Sequence, residues 1–162
     1  MEKIELKFIK HKLYLCVDSA KLNLNSDDAL EIIDEKNKPY RLFFSDIDND
    51  GTKEIIVVTG HPIFFYKGVA RIFKFKNNSW DTLKFFQGGN EDYDGIITEG
   101  RITLYNSKSK KLFLFSGPYP FEKQPKYSIY LHQWSTKLHK IIVVGHKIYH
   151  KFNWKSPKKM MF

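Results

Sequence analysis

Apolar residues recur along this chain in short runs and at alternate positions, the period of a β-strand. Ile4, Leu6 and Phe8 alternate with charged residues, and the run Leu13–Val17 follows after a basic turn. Later runs are also short and rich in β-branched or aromatic side chains, which favours strands over helices. The pattern predicts an all-β protein built from antiparallel sheets.

The stretch between these strands and residue 40 is less regular. Residues 18–28 are mainly polar and are expected to form a loop. The apolar run 29–33 leaves two alternatives. It belongs either to a short helix that begins near Ser26, whose neighbouring aspartates would cap it, or to a strand. We favour a strand that pairs with 40–44 through the turn at 34–39.

Two similar segments, about 40–86 and 101–144, follow at an offset of 57 residues, measured from Gly60 to Gly117. Each is expected to hold four antiparallel strands, which is the size of a propeller blade. The predicted strands are 40–44, 54–59, 69–76 and 80–86 in the first segment, and 101–105, 111–116, 127–133 and 139–144 in the second. A hairpin turn is expected at 77–79. Residues 1–162 would form one β-rich domain of blade-like four-stranded sheets, arranged as a partial propeller or a sandwich. The terminal strands would cap sheet edges or complete a third sheet.

The most informative stretch is D-I-D-N-D-G-T-K-E at 46–54, between two predicted strands. Its three aspartates stand at alternate positions, so their carboxylates can converge on one point, and Gly51 allows a sharp turn. Calcium takes about six to eight oxygen ligands on such a loop. The predicted metal ligands are Asp46, Asp48, Asp50, the backbone carbonyl of Thr52, and Glu54. The alternative is an Asp-rich turn with no ion, in which the three carboxylates would repel one another.

The loop begins like an EF-hand loop, but Val57 stands where an EF-hand has its bidentate glutamate, and strands flank it. It resembles the FG-GAP/VCBS repeats of integrin-like β-propellers, whose motif is D-x-D-x-D-G-x-x-D followed by a strand. The similarity covers about residues 40–60, with Glu54 in place of the usual Asp. The resemblance implies a propeller-like fold and a structural calcium ion (Ca2+). The second segment has the lysine-rich stretch 106–111 instead, so only the first is expected to bind calcium.

Lys plus Arg total 27 against 18 Asp plus Glu, and the net charge of +9 favours an acidic partner. The chain contains no catalytic or nucleic-acid-binding motif and no apolar run long enough to span a membrane. Its single cysteine, Cys16, excludes an intramolecular disulfide. The leading hypothesis is a non-enzymatic calcium-binding module that binds a partner protein, for example an inhibitor or immunity-type protein that caps an acidic surface. The alternatives are a small hydrolase, a carbohydrate- or anionic-polymer-binding domain, and a nucleic-acid-binding protein.

Three further segments of the sequence are candidates for binding or metal sites. The acidic loop 87–95 is either a second cation site or a flexible linker, and the aromatic loops 60–66 and 117–121 are candidates for a shared patch. His132 and His139 lie on opposite sides of a predicted hairpin and are weighed as metal ligands. No secretory signal is visible. A calcium loop, however, is more typical of periplasmic or secreted proteins, and it slightly favours such a location for this protein.

Overall fold

Every regular element in the described part of the chain is a β-strand. The computed structural model describes residues 3–10, 12–24, 40–60, 67–86, 92–99, 102–105, 111–116 and 127–149. The strands are β1 Ile4–Ile9, β2 Lys12–Val17, β3 Ala20–Asn23, β4 Tyr40–Ser45, β5 Glu54–Gly60, β6 Lys67–Lys76, β7 Ser79–Thr82, β8 Phe85–Phe86, β9 Asp92–Tyr93, β10 Gly95–Glu99, β11 Ile102–Tyr105, β12 Lys111–Ser116, β13 Tyr127–Ser135 and β14 Lys140–Tyr149. The predicted all-β class is confirmed. No helix with the length and hydropathy needed to cross a membrane occurs among these residues.

The N-terminal strands form a sheet of their own, in the order β1-β2-β3. Two tight turns join them, and Lys10 (φ 49°) and Asp18 (φ 48°) occupy the left-handed region there. The third strand falls inside the stretch 18–28 that was expected to be a loop, so that expectation is wrong for residues 20–23, while 25–28 lie outside the described residues. Ladder pairing with β2 and the packing of Leu22 against the core stabilise a strand whose polar composition predicts none.

The middle sheet has the order β10-β6-β5-β4, and β7 also pairs with β6. Asn77 and Asn78 have φ angles of 54° and 58°, and Lys76 pairs with Ser79 across them. Two consecutive positive φ angles in a two-residue loop are typical of a type I′ hairpin turn. The predicted turn at 77–79 is confirmed.

The third sheet has the order β11-β12-β13-β14-β8-β9, and its pairs are antiparallel except for β14 with β8. The predicted strand 80–86 is divided between two sheets, because β7 belongs to the middle sheet and β8 to the third. At the transition Leu83 is buried and its N–H donates to the Ile72 carbonyl at 2.9 Å. The sheet therefore has six strands rather than the four expected of a blade.

The middle sheet is covered on both faces, because successive side chains of a strand point to opposite sides. Ile55, Val57 and Phe73 pack with residues of the N-terminal sheet, among them Leu13 and Leu15. The alternate residues of the same two strands face the third sheet. Ile56, Ala70 and Ile72 pack there with Phe85 and Ile141. The three sheets are thus stacked, and none of them closes into a barrel in the described residues. The expected third sheet is formed by the N-terminal strands.

The strands β11 to β14 lie close to the four predicted for the second segment. Whether the two segments are true repeats stays a prediction. The helix-or-strand alternative at 26–33 and the lysine-rich stretch 106–110 lie outside the described residues, as do 61–66 and 117–126 with their aromatic loops.

Candidate metal centre

The loop 46–53 closes the hairpin between β4 and β5, whose last ladder pair is Ser45 with Glu54. Ile47 is buried and packs in the core between the middle and third sheets, so the start of the loop is anchored. Asn49 (φ 65°) and Gly51 (φ 89°) then turn the chain in the left-handed region. Glycine reaches this conformation without steric cost. The loop is therefore fixed at its base and tightly curled at its tip.

The curl brings three of the predicted ligands together. One carboxylate oxygen from each of Asp46, Asp48 and Asp50 lies within 4.8 Å of the others. Loop amides orient these groups: Gly51 N–H donates to Asp46 Oδ2 at 3.2 Å, and Asp50 N–H to Asp48 Oδ1 at 3.2 Å. The Thr52 amide donates to Asp50 Oδ1 at 2.8 Å. This cluster can hold a metal ion.

Glu54 lies beneath the cluster at the start of β5, and its side chain is fully buried. Its Oε2 accepts a hydrogen bond from the Ile47 amide at 2.5 Å. Its Oε1 is buried and has no hydrogen-bond partner in the described part of the chain. Burial raises the pKa of Glu54, although the Ile47 amide acts in the opposite direction. Glu54 is not part of the group of oxygens within 4.8 Å, so its role as a ligand and that of the Thr52 carbonyl stay predictions.

Lys74, on the neighbouring strand β6, extends its ammonium group into the cluster. The Nζ atom lies 2.5 Å from Asp48 Oδ2, 2.6 Å from Asp50 Oδ2 and 3.6 Å from Glu54 Oε1. The side chain is only 13% exposed, whereas that of Lys76, whose Nζ is 3.6 Å from Asp50, is 60% exposed. Burial acts to lower the pKa of Lys74, but hydrogen bonds to Asp48 and Asp50 raise it overall. The bond from Lys74 likewise lowers the pKa of Asp50.

Lys74 was not predicted as a site residue, although the sequence contained a signal for it. Ile55 pairs with Phe73 across β5 and β6. One step further along this antiparallel ladder, Glu54 lies opposite Lys74. Opposite charges at facing positions of neighbouring strands attract each other. Aligning the two predicted strands would therefore have placed this lysine beside the loop.

The donor set suits calcium. All the groups that converge are carboxylates, the hard oxygen ligands that calcium prefers. Three aspartates and the buried Glu54 provide four negative charges, and Lys74 and Lys76 provide two positive ones. Even with both lysines counted, two negative charges of these four carboxylates remain unbalanced.

The other acidic groups and the histidines do not form a second centre among the described residues. Asp94 forms an ion pair with Lys84, and Asp92 Oδ2 lies 2.7 Å from Lys140 Nζ. Residues 87–91 of that acidic loop lie outside the described residues.

The histidine pair is not brought together. His132 lies on β13 opposite Val143, whereas His139 stacks edge-on against Trp134 at the hairpin turn. Neither joins a group of potential metal ligands in the part of the chain that the structure describes.

Comparison with known proteins gives no match to a family model, a curated protein or a solved structure.

Proposed function

We propose that this protein is a non-enzymatic calcium-binding module of the FG-GAP/VCBS type. The observation that carries the proposal is the convergence of Asp46, Asp48 and Asp50 above the buried carboxylate of Glu54. Asn49 and Gly51 supply the turn that such a loop needs. An ordinary surface turn would gain nothing from gathering four carboxylates, since like charges repel.

The ion has a structural role in this proposal. It neutralises the loop between β4 and β5 and fixes the position of Ile47, which packs between the middle and third sheets. Calcium therefore stabilises the contact between two sheets and not merely an exposed turn.

The biological activity is the binding of a partner protein with an acidic surface, as an inhibitor or immunity-type protein would bind. The net charge of +9 supports this part of the proposal, because it raises the association rate with acidic partners. The partner is sought by affinity capture with calcium and with EGTA over a salt series. Tight DNA binding with a steep loss of affinity in salt would support the nucleic-acid alternative instead.

Calcium binding is tested by thermal unfolding and calorimetric titration. Calcium at 100 times its dissociation constant should stabilise a single site by about 2.7 kcal/mol. For a chain of this length, that raises the melting temperature by about 5–10 °C relative to EGTA. Asp48→Asn keeps the side-chain shape but removes one carboxylate, and it should lose most of the calcium-induced shift.

Asp94→Asn is the matched control, because Asp94 belongs to an exposed ion pair with Lys84 and is not among the carboxylates that converge in the loop. It should keep the full calcium-induced shift. The quantity compared is the shift and not the melting temperature itself, since Asp48→Asn also weakens the contact with Lys74. A wild-type protein that shows no calcium shift and no binding heat at 10 mM calcium would refute the proposal.

A further inference from the structure

The carboxylates of the candidate metal centre already have a cation among them. The Lys74 ammonium lies 2.5 Å and 2.6 Å from single oxygens of Asp48 and Asp50. Calcium binds carboxylate oxygens at about 2.3–2.6 Å, which is the same range. Two cations that share these oxygens would lie within about 5 Å of each other, where a divalent and a monovalent charge repel strongly. The loop therefore has room for one of them at a time.

We propose that Lys74 is an internal competitor for the metal position: its ammonium group fills the loop when calcium is absent and leaves when calcium binds. This inference rests on the proposed calcium site and adds the residue that sets its affinity.

The strand beneath Lys74 allows such an exchange. The residues on either side of it, Phe73 and Phe75, pack in the core between the N-terminal and middle sheets and hold the backbone of β6 in place. The lysine side chain is long and flexible and can move its charge to solvent without a shift of the strand. Lys76, two residues further on, shows that this end of β6 opens to solvent, because its side chain is 60% exposed.

The exchange would keep a loop with four carboxylates neutralised at low calcium. The buried Oε1 of Glu54 needs a positive charge nearby in both states, and Lys74 Nζ lies 3.6 Å from it. Every calcium ion that binds must then replace these contacts, which lowers the apparent affinity. The site would respond to high calcium concentrations and remain folded at low ones.

Two neutral variants separate competition from a general effect of charge. Lys74→Met keeps the length of the side chain and removes the competitor. Removing charge-assisted hydrogen bonds of this kind should tighten calcium binding on the order of tenfold or more. Lys76→Met removes the same charge at the same loop, but from a side chain that is largely in solvent, and should change the affinity by about threefold or less. Lys74→Arg keeps the charge and should bind calcium about as weakly as the wild type does.

A second measurement follows the lysine itself in the wild-type protein. Acetylation with an amine-reactive ester, read by peptide mass spectrometry, should label Lys74 slowly in EGTA because its side chain is only 13% exposed. Saturating calcium should raise the labelling of Lys74 severalfold and leave that of Lys84, whose side chain is 44% exposed, unchanged. This readout does not depend on whether any variant folds.

The outcomes are distinguishable. Tighter binding in Lys74→Met than in Lys76→Met, together with calcium-induced labelling of Lys74, supports the competition. Binding by Lys74→Met alone, with none in the wild type, would show that Lys74 blocks the loop instead of exchanging with calcium, and it overturns both the exchange and calcium as the resident ion of the wild-type loop. Equal affinity in the wild type and Lys74→Met, or continued protection of Lys74 in calcium, overturns the competition while the calcium site stands. Absence of binding in all of them overturns both proposals.

Discussion

A buried histidine should make this protein sensitive to acid. His132 is 1% exposed and lies on β13 beside the rings of Phe85 and Tyr130. Neither of its ring nitrogens has a hydrogen-bond partner in the described part of the chain. Burial lowers the pKa of His132 from 6.5 to about 4, because the charged imidazolium would lose its hydration.

The effect on stability follows from proton linkage. Between pH 6.5 and pH 4 the unfolded chain binds a proton at His132 and the folded protein does not, so stability falls as the pH falls. With the pKa values of 6.5 and about 4, the loss is negligible at pH 7.5. It reaches about 1 kcal/mol at pH 5.5 and about 2–3 kcal/mol at pH 4.5.

The assay is urea unfolding in EGTA at these three pH values, for the wild type and for His132→Leu. Leucine fills a similar volume and does not titrate, so the difference in unfolding free energy between the two proteins should change by the amounts above. His139→Asn is the control, because His139 is exposed at a turn with φ 51°, a conformation that asparagine tolerates. It should follow the wild-type curve. Parallel pH curves for the wild type and His132→Leu would refute the reasoning.

Two further substitutions test the loop. Glu54→Gln should leave stability in EGTA nearly unchanged or raise it, since burial disfavours the charged carboxylate. It should reduce the calcium-induced shift in melting temperature. An unchanged shift would show that Glu54 does not contribute to binding of the ion. Gly51→Ala should cost about 1 kcal/mol in urea unfolding, because φ is 89° and an added methyl group meets no atom within 4 Å, so the cost is that of the backbone alone. A neutral result would mean that the loop tip adopts another conformation in solution.

The sequence predicts most of this fold because strand periodicity is local. The alternation of Ile4, Leu6 and Phe8 and the short apolar runs of β5 and β6 can be recognised without knowledge of their neighbours. The strand β3 was missed because its four residues are stabilised by the ladder with β2 rather than by their own composition. The division of 80–86 was missed for a similar reason: Phe85 leaves the middle sheet to pair with Ile141, a residue far along the chain.

The candidate metal centre could be predicted only in part for the same reason. Its three aspartates stand within one loop, and their spacing alone predicts that they converge. Lys74 is 20 residues from Glu54 in sequence and becomes a neighbour only when β5 and β6 are aligned in register. A local motif therefore identifies the acidic half of the site, whereas its basic half depends on the pairing of strands.

The pairing of β5 with β6 also places Glu54 and Lys74 side by side on the same face of the middle sheet. On the face of the middle sheet that meets the third sheet, β5 presents Glu54 followed by Ile56, and β6 presents Ile72 followed by Lys74. Each strand thus interrupts an apolar series with one charge, and the two charges face each other. Burial of the Glu54 charge without a counter-charge would be strongly destabilising, whereas Lys74 also has Asp48 and Asp50 as partners. In the proposed exchange, displacement of Lys74 would remove the counter-charge of a fully buried carboxylate, so calcium could replace the lysine only if the ion also neutralised Glu54. The long glutamate at the ninth position of the loop would then connect the proposed metal position to the lysine that competes for it.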